Sequence, residues 1–400
     1  MNNITFLFFS IMFLIGTDTF LISPLLPALT KIYHISADVS GWMVSAYALG
    51  YATFALIAGP ISDYLDRKKV MIFGMIGFAI STFLCGLAPN FWTMMLFRLL
   101  AGISAAFITP QVWASIPVLV APKNIVKTMG YTTAGLSLSQ MIGIPIGSYL
   151  AAMSWHAPFF AIACCSVILM IGLLFILPSL PTSSNTTNKR RSIIDVYLRL
   201  FKTPTITIYI IAYFIFQTGN FAAFSFIGSW LSSDFQLHIA EVGTAMIALG
   251  LGNTFGSIFG NHLVKKLGVR KSLLFAFCSL IILYTVLPFA LNLMIAELLL
   301  FMIFLIGGFV FPIFISTLQA LTTTARGTVS AMANAAMYGG TALGGMIGGL
   351  LLNHFRGFFG VSFFTVVMYM FSLFIYIKGG IFKTEKRYHR LQEIQKVERK

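Results

Sequence analysis

Gly16-Thr17-Asp18-Thr19-Phe20-Leu21-Ile22-Ser23-Pro24-Leu25-Leu26-Pro27 places one carboxylate, Asp18, deep inside an otherwise apolar N-terminal run. Mostly apolar residues flank it from Ile4 to Ile15 and from Phe20 to Leu29. A charge at the centre of a bilayer costs roughly 2.5–3.5 kcal/mol on the insertion scale. Spanning a membrane does not require that cost, so Asp18 is a functional-site candidate. The rest of the chain has to supply its partner and its purpose.

The composition places the whole chain in the membrane. Of its 400 residues 58% are hydrophobic and only 9% charged, against about 25% charged in a soluble domain. Apolar runs of about 20 residues recur along it, the length a helix needs to cross a bilayer. They do not alternate in the way barrel strands do. The N-terminus lacks the basic start and small-residue cleavage site of a signal peptide, so it reads as a retained span. Twelve spans follow, near 4–29, 41–61, 70–88, 92–119, 127–150 and 158–178, then 206–231, 240–261, 273–291, 294–320, 329–353 and 358–380. The expected class is an all-α integral membrane protein.

The formal net charge of +15 is confined to alternate loops. One side carries Arg67-Lys68-Lys69, Lys123 and Lys127, Lys189 to Lys202, Lys265 to Lys271, Arg326 and the tail from Lys378. The other carries only Lys31 and Arg356. The positive-inside rule then predicts a multi-pass cell-membrane protein with both termini cytoplasmic, its basic charge serving topology rather than nucleic acid. A polar stretch, Leu180-Pro181-Thr182-Ser183-Ser184-Asn185, separates six spans from six. The expected organisation is a half at 1–180, a cytoplasmic linker at 181–204, a second half at 205–382 and a tail at 383–400. Ile193, Ile194, Tyr197, Leu198 and Phe201 give the linker an interfacial helical stripe.

The halves read as a repeat at an offset near 202 residues. Asp18 then matches Asn220, and Gly143 and Gly147 match Gly345 and Gly349. Facing six-helix repeats predict a binding site between them near the midplane. Arg98 is the only basic residue inside a span. Counted from a helix start near Phe91, it lies ~10 Å deep at 1.5 Å per residue, a depth similar to that of Asp18. An Asp18–Arg98 pair facing one cavity relieves the cost of both charges, either as a static packing element or as a switch that proton uptake at Asp18 releases. Gln111, Gln140, Gln217 and Asn220, with Asn253, are uncharged amides within spans, placed to join helices or to bind a substrate. Glu297 falls in the first turns of the tenth span and reads as an interfacial carboxylate. The glycine pairs from Gly339 to Gly349 provide a small-residue face for close helix approach. Phe20, Tyr47, Tyr51, Phe221 and Phe224 are candidate cavity aromatics among 40 Phe that otherwise serve packing and lipid contact.

Three motifs carry a resemblance. Gly59-Pro60-Ile61-Ser62-Asp63-Tyr64-Leu65-Asp66-Arg67-Lys68-Lys69-Val70 resembles the loop-2–3 signature of the major facilitator superfamily, G-x-L-a-D-r-x-G-r-k-x-l. Phe97-Arg98-Leu99-Leu100-Ala101-Gly102 resembles its fourth-helix motif, and Gly143-Ile144-Pro145-Ile146-Gly147 its fifth-helix antiporter motif. The first-helix stretch around Asp18 is similar to the twelve-helix drug:proton antiporter subgroup. The resemblance implies two pseudo-symmetric six-helix halves, and a gating loop of Gly59, Asp63, Arg67 and Lys68 in which Asp63 locks one state by pairing across helices. Departures are present: Asp66 stands in a glycine slot, and Ile144 separates Gly143 from Pro145, which displaces the expected bend. From the residues, Gly59 and Pro60 are expected to end the second helix and Asp63 to cap the next.

Other function classes find little support. The six histidines fall in loops or at span ends, and no second acid lies at the depth of Asp18, so an intramembrane enzyme lacks its acid–base pair. There is no P-loop, no metal or redox motif among the four cysteines, and no channel filter. The expectation is a secondary transporter without cofactor, a monomer in the lipid bilayer that exchanges protons for a small molecule. Multidrug-type efflux leads, with a dedicated exporter of a secreted metabolite such as a metallophore, or of a sugar, as alternatives.

Overall fold

The computed structural model describes residues 3–179, 203–321, 326–355 and 357–380. The linker and tail expected from the sequence therefore lie almost wholly outside the described residues. Twelve helices are long and apolar enough to cross a membrane. The first six are α1 (Asn3–Ile32), α2 (Ala37–Ala58), α3 (Arg67–Cys85), α4 (Phe91–Leu119), α5 (Pro122–Met153) and α6 (Ala157–Ile176). The second six are α7 (Pro204–Asp234), α8 (Ile239–Gly260), α9 (Lys266–Phe289), α10 (Leu293–Ala320), α11 (Thr328–His354) and α12 (Phe359–Lys378). Each set of six packs into one half, and the strongest contacts between halves join α2 to α11, α1 to α7 and α5 to α8.

Helix α1 runs through Pro24 and Pro27, as its expected span does, and ends at Ile32. The second helix differs from the sequence reading: it runs through Gly59 and Pro60 to Tyr64 instead of ending there. A proline costs one intrahelical bond, and membrane helices absorb that loss through neighbouring helices. The cap of α3 is Asp66, not Asp63: its carboxylate accepts from the Lys68 backbone N–H at 2.9 Å. The residue that departs from the family pattern thus has a local task, since an aspartate at this position satisfies an orphan N–H at a helix start.

The basic residues beside it bond carbonyls of neighbouring helices. Arg67 Nη1 donates to the Ala114 carbonyl of α4 at 2.7 Å, and Lys68 Nζ to the Leu174 carbonyl in the last turns of α6 at 2.8 Å. A cation suits the Leu174 position because the last carbonyls of a helix lack partners and carry the negative end of its dipole, whereas Ala114 lies five residues before the end of α4. Cys85 is buried, whereas Cys164, Cys165 and Cys278 reach the outer surface, so packing in the interior accounts for only one of the four.

The seams between the halves fix which parts of the helices touch. Helices α2 and α11 run antiparallel, with Asp38 beside Gly349, Ser45 Oγ donating to the Ala342 carbonyl at 2.6 Å, and Tyr51 stacked on Tyr338. Helices α5 and α8 do the same, from Tyr149 beside Thr244 to Asn253 Nδ2 donating to Gln140 Oε1 at 2.6 Å. Ser23 of α1 donates to the Phe224 carbonyl of α7 at 2.8 Å. The contacts at Asp38, Ser45, Tyr149 and Ser23 lie in the parts of the helices nearest the face where α1 ends, and those of Tyr51 with Tyr338 and Gln140 with Asn253 lie deeper, past mid-helix on α11 and α8. These seams close the molecule at that face.

Candidate functional site

The orientation of Asp18 is set one residue earlier, by Thr17. A Cβ added at Gly143 of α5 would overlap the Thr17 side chain, so glycine is needed for α1 and α5 to approach this closely. With Thr17 turned into α5, the next side chain along the helix, about 100° round, faces α4. There Asp18 Oδ2 accepts from Arg98 Nη1 at 2.9 Å, and both side chains are 1% exposed. They are the only fully buried acid and base among the described residues.

The pair is held by one bond rather than by the two-point fork that arginine and carboxylate often form. Asp18 Oδ1 and Arg98 Nε have no hydrogen-bond partner. The guanidinium lies over the Tyr47 ring, 4.5 Å from its centroid, an arrangement that favours a partly desolvated cation. Thr19 Oγ1 donates to the Ile15 carbonyl at 2.8 Å and lies 3.2 Å from the Tyr47 hydroxyl. In chemical terms, one carboxylate oxygen holds the cation and the other is free to take a proton. Protonation removes the charge attraction that keeps Arg98 in place.

Beside the pair is a narrow cavity lined from both halves. Its wall includes Thr19, Phe20, Tyr47 and Arg98 from the first half and Phe221, Phe224, Tyr338 and Thr341 from the second. Asp18 is not in that wall; it stands behind Arg98. Of the candidate aromatics, Phe20, Tyr47, Phe221 and Phe224 line the cavity, and Tyr51 stacks on its Tyr338 with ring centroids 3.6 Å apart. Tyr338 and Thr341 escaped the sequence reading, although their spacing of three on a glycine-rich helix was a signal for one polar face.

The four amides do not line this cavity. Gln140 joins α5 to Asn253 of α8. Gln217 donates to the Tyr213 hydroxyl at 2.8 Å, and Asn220 accepts from the Tyr369 hydroxyl at 3.2 Å. Gln111 is 1% exposed with neither amide atom paired. Pro145 and Gly147 lie in the helical segment that follows a five-residue π-helical turn, Ser139–Gly143. Pro145 offers no N–H to the Met141 carbonyl and its ring crowds that group, which explains why the irregularity sits just ahead of it. The surroundings of Gly59 and the side chain of Asp63 lie outside the described part of the structure, while Arg67 and Lys68 bond carbonyls of α4 and α6 as above. Glu297 is half-buried in the first turns of α10. Among the described residues there is no group of three or more His, Cys, Asp or Glu suited to a metal ion.

Packing also corrects the repeat by one residue. Gly344 of α11 abuts Thr218 of α7 as Gly143 abuts Thr17, and Gly348 abuts Ala222 as Gly147 abuts Leu21. The counterpart of Asp18 is therefore Gly219, not Asn220. In the same way Gly308 meets the Asn253 carbonyl as Gly102 meets that of Tyr47, and Gly256 meets Leu305 as Gly50 meets Leu99. That register puts Phe304 opposite Arg98. Where the first half has an ion pair, the second has a glycine and a phenylalanine.

The sequence matches the family description Major Facilitator Superfamily over residues 8–345 and again over 209–396. It is 51% identical over 387 residues to YceJ of Bacillus subtilis (strain 168), described as an uncharacterized MFS-type transporter, covering 97% of this chain and 98% of that one. Multidrug resistance protein 2 of the same organism is 34% identical over 157 residues, 39% of each chain. Among solved structures, a D-xylose–proton symporter superposes with a TM-score of 0.78 at 15% identity, over 94% of this chain and 97% of that one.

Proposed function

Because the chain belongs to the Major Facilitator Superfamily, we propose that it exports small amphipathic molecules in exchange for protons, by alternating access. That it is a multi-pass membrane transporter follows from its family and its twelve apolar helices. Export and proton coupling are the finer reading. The Asp18–Arg98 pair carries it: a fully buried, singly bonded acid and base beside a cavity lined by both halves. A packing element gains little from such a pair, since apolar side chains of similar volume often serve as well or better.

The asymmetric loop charges support an orientation with both termini in the cytoplasm. In that orientation the closed face is the external one. The cycle then runs in four steps. Asp18 takes a proton from outside, Arg98 is released, the halves 1–180 and 205–382 rock inward, and the proton leaves to the cytoplasm. Re-formation of the pair accompanies substrate loading and the return outward. The 34% identity to a multidrug resistance protein over part of the chain supports export.

The test is efflux from proteoliposomes containing the purified protein under an imposed pH gradient. Asp18→Asn is expected to abolish gradient-driven movement while leaving a folded, membrane-inserted protein. Full gradient-driven efflux by that variant would sink the assignment. A dedicated exporter of one secreted metabolite shares this mechanism, and the limited overlap with the multidrug relative, 39% of each chain, keeps it in play. Medium from deletion and wild-type cells, profiled beside a toxic-compound panel, separates the two: exclusive loss of one metabolite favours the dedicated exporter.

A further inference from the structure

The charges around the cavity restrict what it can hold. We infer that its ligand is an uncharged, planar aromatic molecule bearing an acceptor oxygen such as a carbonyl, and not an organic cation or a carboxylate. The inference rests on the proton-exchange reading above and sharpens it to a substrate class.

Three observations lead there. First, the wall is aromatic, with Phe20, Tyr47, Phe221, Phe224 and Tyr338, so flat rings find faces and edges to pack against. Second, among the described residues the wall contains Arg98 and no Asp or Glu. An organic cation entering it meets a guanidinium at contact distance, while the only nearby carboxylate is behind that guanidinium and already engaged with it. Third, Arg98 is 1% exposed, and its sole hydrogen bond goes to Asp18, with Nε unpaired. An arginine has five N–H donors in a fixed fork, so this one has donors left over for an acceptor atom.

The sign of linkage separates the remaining classes. A carboxylate ligand can take Arg98 fully only by displacing Asp18, and a displaced buried carboxylate recruits a proton. Ligand and proton would then load together, which is the coupling of a symporter. An uncharged acceptor behaves in the opposite way. It binds the spare donors while Asp18 keeps Arg98 in position, so it needs Asp18 ionised. Protonating Asp18 frees Arg98 and loosens the ligand. Ligand and proton exclude each other, as exchange requires, because linkage acts equally in both directions.

The experiment compares three probes on one ring system with the full-length protein in lipid nanodiscs, by equilibrium dialysis against empty discs. They are 7-methoxycoumarin, its 4-acetate derivative, and a 4-methyl-trimethylammonium derivative. The uncharged probe is expected to bind at least about tenfold more tightly than either charged one, because all three offer the ring carbonyl while the charged two must also bring an ion out of water into a buried site. Its affinity is expected to fall on mild acidification in the wild type and to stay flat in Asp18→Asn. Tighter binding of the ammonium probe, tightening of the acetate probe on acidification beyond the uncharged one, or no specific binding of the uncharged probe each overturns the inference. The probe comparison in the wild type does not depend on any variant folding. Its failure is also distinct from failure of proton exchange, which is read by the gradient-driven efflux of Asp18→Asn.

Discussion

Deleting one member of the Asp18–Arg98 pair and deleting both are different perturbations. Arg98→Ala leaves a buried carboxylate without its cation, and breaking a buried pair from one side costs about 3–5 kcal/mol. Replacing both, as Asp18→Leu with Arg98→Met, removes the uncompensated charge. The double variant is expected to unfold in mixed micelles close to the wild type, and Arg98→Ala far earlier. Arg98→Lys keeps the charge but loses the planar fork that rests on Tyr47, so a reduced but measurable gradient-driven efflux is expected. This pair was legible in the sequence because a charge in an apolar run is expensive and few partners exist at its depth. The cavity wall was less so. With 40 Phe in the chain, packing and lipid contact use the same residue type as the site, and the spacing of Tyr338 and Thr341 marks a shared helix face without saying which helix it meets across the seam.

At the scale of elements, α5 shows what local rules reach and where they stop. Ile144 between Gly143 and Pro145 implied a displaced bend, and the π-helical turn Ser139–Gly143 stands where Pro145 disturbs the preceding carbonyl. The packing against α1 was not readable, because it depends on which glycine meets which side chain. Gly143→Ala places a methyl on Thr17 and is expected to cost about 1–3 kcal/mol, as overpacking does. Thr17→Ala removes the hydroxyl nearest that methyl, so the pair of changes together should recover part of the loss in the same unfolding assay. The repeat register failed for a related reason. Gly344 and Gly345 are adjacent, as are Gly348 and Gly349, so two offsets align glycine with glycine. Only the contacts show that one row faces α7 and the other faces α2.

For the whole molecule, the twelve-helix architecture followed from hydropathy, which a bilayer enforces strongly. The conformational state did not, since both faces of such a chain have the same sequence and differ only in which contacts are made. The seam at Ser45 and Ala342 offers a test of movement. In a variant with Cys85, Cys164, Cys165 and Cys278 replaced, a cysteine pair at these two positions joined by a short thiol-reactive linker should hold the closed face shut. Transport is expected to stop and to return when a cleavable linker is cut; undiminished transport while joined would show that this seam need not open. The repeat that aligns Asp18 with Gly219 and Arg98 with Phe304 has a further consequence. If the proposed proton exchange runs through Asp18, the one fully buried acid among the described residues, the expected stoichiometry is one proton per cycle. An uncharged cargo then draws about 2.3 kcal/mol from each 100 mV of membrane potential. That corresponds to a steady-state accumulation ratio of roughly fiftyfold per 100 mV, with about another tenfold for each unit of pH difference. Under the proposed exchange, the lost symmetry would set a ceiling on how steep a gradient this protein can maintain.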